Sequence, residues 1–186
     1  MASQAGHHTR SRLAARLLAA ALALAGSATA AFAVCPQASA RYIEQEGGFT
    51  LRFGRVDADG PPSTTDAFTI ENIDRGLVFE GYVLLSEGLE RPIGLVMYNC
   101  PEGDVTGAEL SECTLWQGTI YALSDAGDVG LLSQDGAAAD RLLLADFGRA
   151  VAESNVLEGV AETGIPWDLF EFADCAEAPA ATGSAG

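Results

Sequence analysis

The residues able to do chemistry in this chain are nearly all carboxylates. The sequence holds 26 Asp and Glu, ten Arg, two His and no Lys, and both His, with Arg10, Arg12 and Arg16, fall within the first sixteen residues. Beyond them, Ser–His–Asp triads, Cys–His pairs, Ser–Lys dyads, lysine Schiff bases and histidine-bound metals are excluded in cis. Neither a Gly-rich phosphate loop ending in Lys nor a dinucleotide fingerprint occurs. What remains is glycoside hydrolysis, which needs only two acids about 5–9.5 Å apart, one with its pKa raised by burial. Two acids with apolar neighbours stand out, Glu80, between Phe79 and Gly81, and Asp168, beside Trp167. These are the catalytic candidates. Each also has a plainer account, which is preferred: strand alternation puts Glu80 on a solvent face, and Asp168 caps a turn or short helix.

Other constellations are incomplete. Asp57, Asp59 and Asp66 resemble the start of a calcium loop, but Pro61, Pro62 and Phe68 stand where an EF-hand wants a ligand, Gly and Glu. An ordinary acidic turn is expected there, with no metal and no cofactor. Tyr98, Trp116, Tyr121 and Trp167 could stack on a sugar or peptide, although aromatic residues more often fill a core. Trp116 and Tyr121 have opposite parity on one expected strand, so only one of them need be buried, and an exposed one would be a binding residue.

The four cysteines, at 35, 100, 113 and 175, suit disulfides in an exported chain. Cys100 with Cys113 would close a short turn containing Pro101, Gly103 and Gly107. Cys35 with Cys175 would tie the ends of the domain. No C-x-x-C spacing exists to suggest a redox or zinc site.

Residues 1–33 read as a secretory signal peptide, with a basic start, an apolar run from Leu17 to Ala25 and small residues before a cleavage site between Ala30 and Ala33. The run is too short for a bilayer span of about 20 residues. Val34 before Cys35 argues against lipidation, and Ser11 between Arg10 and Arg12 against the twin-arginine route. The leader has a bacterial look, so a periplasmic or secreted product without a transmembrane segment is expected. Removing it leaves seven Arg against 26 acids, a formal charge of −19. Such a surface repels nucleic acid and anionic membrane and attracts cations or a basic protein.

The elements that must position these residues are mostly strands. Alternation marks Phe49–Phe53, Leu77–Leu85 and Pro92–Cys100, with a short strand at Ala67–Ile70. Thr114–Ser124 reads as one long strand returning through Val129–Leu132, and Arg141–Ala145 as another. A helix is expected near Asp146–Ser154, with Asp146 as its cap. Residues 165–175 should pack on the sheet, and 176–186 form a disordered tail. One β-rich domain over 34–175 follows: an antiparallel barrel or sandwich, disulfide-braced, with one short helix in its C-terminal half.

Exclusion of most chemistry favours binding over catalysis, so the first expectation is a non-catalytic periplasmic domain that binds a protein or envelope component. A carboxylate glycan hydrolase is the second. The third is an inhibitor or lectin-like module presenting the 100–113 loop through Glu102, Asp104 and Glu109.

Overall fold

A computed structural model describes residues 34–46, 48–56, 63–85, 91–103, 106–133, 136–154, 156 and 164–175. The leader, the cleavage site, Asp57, Asp59, Asp104 and the tail lie outside the described residues.

Among the described residues ten strands form one antiparallel sheet, curled into a half-barrel. They are β1 (Ala40–Glu44), β2 (Thr50–Gly54), β3 (Thr64–Asn72), β4 (Leu77–Leu85), β5 (Pro92–Met97), β6 (Thr114–Gly118), β7 (Ile120–Leu123), β8 (Val129–Leu131), β9 (Arg141–Leu144) and β10 (Leu169–Cys175). Their spatial order is β6-β5-β4-β3-β2-β1-β10-β9-β7-β8. Period-two burial explains the inner face: Tyr42, Leu51, Phe53, Phe68, Ile70, Phe79, Val83 and Leu142 are buried in one core. In β3 the inward row runs Asp66, Phe68, Ile70, Asn72, so both of its ends carry a buried polar residue.

The segment expected as one strand from Thr114 breaks at Thr119. β6 pairs with β5 and β7 with β9, so the chain leaves one edge of the sheet and rejoins it near the other. The curl brings these regions together: a Cβ added at Gly94 of β5 would lie 2.7 Å from Ile120 Cγ1 at the start of β7. It would also lie 2.8 Å from the Trp116 ring, which covers Gly94 and its register partner Gly118. Two residues without side chains thus make room for one indole, whose Nε1 donates to Ala145 O at 2.8 Å.

Two helices occur among the described residues, one more than expected. Helix α1 (Gly107–Cys113) lies where a turn was foreseen. It starts with a capping box, Thr106 accepting the Glu109 N–H while the Glu109 carboxylate takes the Thr106 N–H. Helix α2 (Phe147–Glu153) stands where a helix was expected. Its Phe147 meets Phe79 of β4, Trp116 of β6 and Phe170 of β10 at centroid distances of 6.4, 6.3 and 6.2 Å. The helix therefore covers the concave side and joins strands from distant parts of the sheet. Asp146 is not its side-chain cap; it takes a left-handed conformation, φ 64°, and another residue does the capping.

Both disulfides pair as expected, Cys35 with Cys175 and Cys100 with Cys113, at Cα separations of 5.7 and 5.2 Å. The first continues the β1–β10 ladder, in which Ala40 faces Cys175. No helix among the described residues is long and apolar enough to cross a membrane.

Candidate functional site

The acids singled out from sequence are dispersed. Glu80 is exposed on β4 and accepts the Tyr82 hydroxyl at 3.5 Å. It borders a shallow groove of about 320 Å³ on the outer face with Arg52, Thr69 and Tyr82. Asp168 caps α2: Oδ1 accepts Gly148 N–H and Oδ2 accepts Asp146 N–H, both at 2.8 Å. Its two oxygens are therefore already engaged by backbone donors, and no cleft found among the described residues holds both Glu80 and Asp168. Asp66 is buried and accepts the Thr65 hydroxyl at 3.1 Å. Among the described residues no three His, Cys, Asp or Glu are grouped to hold a metal ion.

The proposed binding residues are placed as follows. Glu102 is exposed before α1. The Glu109 carboxyl is held below its usual range by its bonds to the Thr106 hydroxyl and N–H, which favour the ionised form. Trp116 is withdrawn into the core, and Tyr121 is half-buried on β7. Because the two occupy different strands, their parity no longer decides which is exposed. Trp167, considered with them, is 51 % exposed.

The strongest concave site lies where β1 and β3 end. Glu44, the last residue of β1, points inward and is only 3 % exposed. Among the described residues no cation pairs with it. Instead Oε1 accepts the N–H of Glu46 at 3.1 Å and of Trp167 at 3.2 Å, while Oε2 accepts Gly48 N–H at 3.1 Å. Three oriented N–H dipoles offset the loss of water around this carboxylate. They also fasten the β1–β2 turn to the irregular segment before β10, and Gln45 N–H donates to Leu169 O at the start of β10 at 3.1 Å.

Opposite stands Asn72, the inward-facing last residue of β3, 4 % exposed. Its Oδ1 is buried and accepts no hydrogen bond. The chain then enters a single 3₁₀ turn, Ile73–Arg75, closed by Gly76 at φ 65°, a left-handed position that glycine occupies without strain. This turn brings Asp74 and Arg75 to the mouth of the site. Glu46, Gly164 and Ile165 complete a cleft of about 560 Å³. Arg75 Nη1 approaches Gly164 O at 3.5 Å. Ile165, which lines the cleft, is exposed, as are Ile73 and Trp167 next to lining segments in sequence.

Sequence analysis did not single out Glu44 or Asn72. A signal for both was present: each follows an inward apolar residue by two positions, Tyr42 and Ile70, and so continues a buried row with a polar side chain. Another cleft, about 650 Å³ between α1 and α2, is lined by Tyr98, Glu112, Leu115 and Glu153, and none of its lining residues carries a buried polar atom lacking a partner. No family model, no curated protein and no solved structure matches this chain, so the site is read from its own geometry.

Proposed function

We propose that this chain is a non-catalytic exported domain that binds a protein or envelope component through the cleft between Glu44 and Asn72. The observation that carries the reading is a cleft of about 560 Å³ whose lining includes two buried polar residues, Glu44 and Asn72, and the exposed Ile165. Concave surfaces with a few convergent polar groups are where ligands and partners most often bind. Exposed apolar side chains grouped on a surface mark contact patches. Export is supported by two structural disulfides, which persist in oxidising compartments, and by the three-part leader, with the periplasm as the expected destination.

Photocross-linking in the cells that make the protein tests this. A photoreactive residue replacing Ile165 is expected to give a discrete adduct, whereas the same residue at Val78, exposed on the outer face of β4, is not. Equal labelling from both positions, or none from 165, would overturn the reading.

A further inference from the structure

We infer that the free edge of strand β8, with the apolar outer face beside it, docks an extended segment of a partner protein that pairs as one further strand and carries a lysine or arginine beside Asp128. This surface shares no lining residue with the cleft and stands independently of the reading given to it.

Strand β8 ends the sheet and pairs only with β7. The strand at the opposite end, β6, packs against helix α2. In the β7–β8 hairpin Ser124 N–H donates to Asp128 O at 3.0 Å, and the register continues as Leu123 with Val129, Ala122 with Gly130 and Tyr121 with Leu131. Directly opposed residues of an antiparallel pair alternate between exchanging hydrogen bonds and not. Ala122 and Gly130 therefore exchange them, and the N–H and C=O of Val129 and Leu131 point away from β7. Among the described residues these outward groups have no partner. All three residues of β8 are exposed, Val129 at 65 %. Two donors and two acceptors in a row form a template for another strand.

The face beside this edge is apolar. Leu131, Tyr121, Leu143 and Leu169 oppose one another across four strands. Their sequence neighbours Ile120, Leu142, Leu144 and Phe170 point into the core, so this row lies on the outer side, and none of its members is fully buried. Tyr121, a binding candidate from sequence, stands within it. An added strand would extend the row and cover Val129 and Leu131.

Charge selects the occupant. The turn before β8 gathers acids: Asp140 Oδ2 accepts Asp125 N–H at 2.8 Å, and Glu171 lines the same shallow cleft. With Asp128, four exposed carboxylates oppose one Arg141, a formal local charge of −3. A cationic residue at that end of the entering strand is favoured. A second copy of this chain fits less well. Three residues of edge extend about 10 Å, too little for the roughly 800 Å² per partner of a stable interface, and two chains of formal charge −16 repel.

The test is an NMR titration of the oxidised protein with the capped peptide acetyl-Thr-Val-Thr-Val-Arg-amide, with its Arg-to-Glu form, and with a form N-methylated at both valines. The backbone amides of Val129 and Leu131 are expected to shift saturably with the first peptide and not with the other two. In Leu131→Pro the lost N–H is one that points away from β7, so the native ladder is kept, which unchanged Ala122 and Gly130 amide signals would verify; binding is expected to weaken about fivefold for one lost hydrogen bond. The exposed double variant Asp125→Asn, Asp128→Asn is expected to weaken it about threefold. Absence of shifts at Val129 and Leu131, equal binding of the N-methylated or Glu peptide, or unchanged affinity in both variants would overturn the inference. Shifts of the same amides on raising protein concentration without peptide would assign the edge to a second copy and overturn the choice of partner. The adduct at position 165 tests the cleft separately.

Discussion

Asp168 caps helix α2 through Gly148: its Oδ1 accepts the Gly148 N–H at 2.8 Å, across twenty residues of chain. Capping was the preferred account of this carboxylate beside Trp167, and it caps the helix from outside it. The approach is close enough that a Cβ added at Gly148 would overlap the Pro166 carbonyl oxygen. Asp168→Ala should therefore cost about 1–2 kcal/mol, the usual loss for a helix cap. Gly148→Ala should cost at least as much, because backbone must move to admit a methyl group. Urea denaturation measures both, and a Gly148→Ala protein as stable as the parent would contradict this packing.

Glu44→Gln should destabilise the protein by about 2–3 kcal/mol. The amide would keep one acceptor oxygen and turn an NH₂ group towards backbone donors where three N–H groups now meet a carboxylate. Hydrogen exchange should accelerate at Gly48 and Trp167 before it does in the central strands. Uniform acceleration through the sheet would show that Glu44 does not hold the cleft locally.

Alkaline pH should weaken the fold through Tyr42. Its hydroxyl is buried, donates to Gln37 Oε1 at 2.9 Å and is pushed up to about 12 by desolvation. In the unfolded chain it titrates near 10, so between those values the unfolded state binds fewer protons and stability falls as pH rises. The contribution is complete below pH 10 and lost on passing 12, about 2–3 kcal/mol in all. Tyr42→Phe should flatten stability over this window in equilibrium unfolding followed by circular dichroism. An unchanged slope would assign the alkaline transition to another group.

The two disulfides should differ in worth. Cys35–Cys175 spans 140 residues and Cys100–Cys113 spans 13. Chain entropy gives about 5 kcal/mol for the longer loop and about 3 for the shorter. Replacing each pair by Ser and comparing denaturation midpoints checks the order. A larger loss from the short loop would mean that α1, rather than chain closure, sets its value.

The strands were legible where alternation is strong, as in Leu77–Leu85, because a half-buried sheet imposes period two on side chains. β1 was not, since Ala40, Tyr42 and Glu44 form a mixed inward row whose last member is charged. The break at Thr119 was hidden because β6 and β7 are both apolar enough to read as one strand, and only their partners, β5 and β9, distinguish them. Helix α1 carried a readable signal, Thr106 with Glu109 three residues later, masked by a cysteine-bounded segment rich in Gly. The cleft was the least legible part. It joins the β1–β2 turn, the end of β3 and the segment before β10, and sequence alone does not show that these distant parts of the chain meet.

The position of β10 has a consequence for how the molecule closes. Strands β1 to β6 lie on one side of it and β7 to β9 on the other, joined within the sheet through β10. During synthesis, both halves can form before residues 169–175 emerge, and until then each presents a bare edge to its surroundings. β10 is thus the seam of the sheet and the element best placed to exchange between two copies, each lending its seam to the other. Loss of this one strand would leave two new open edges.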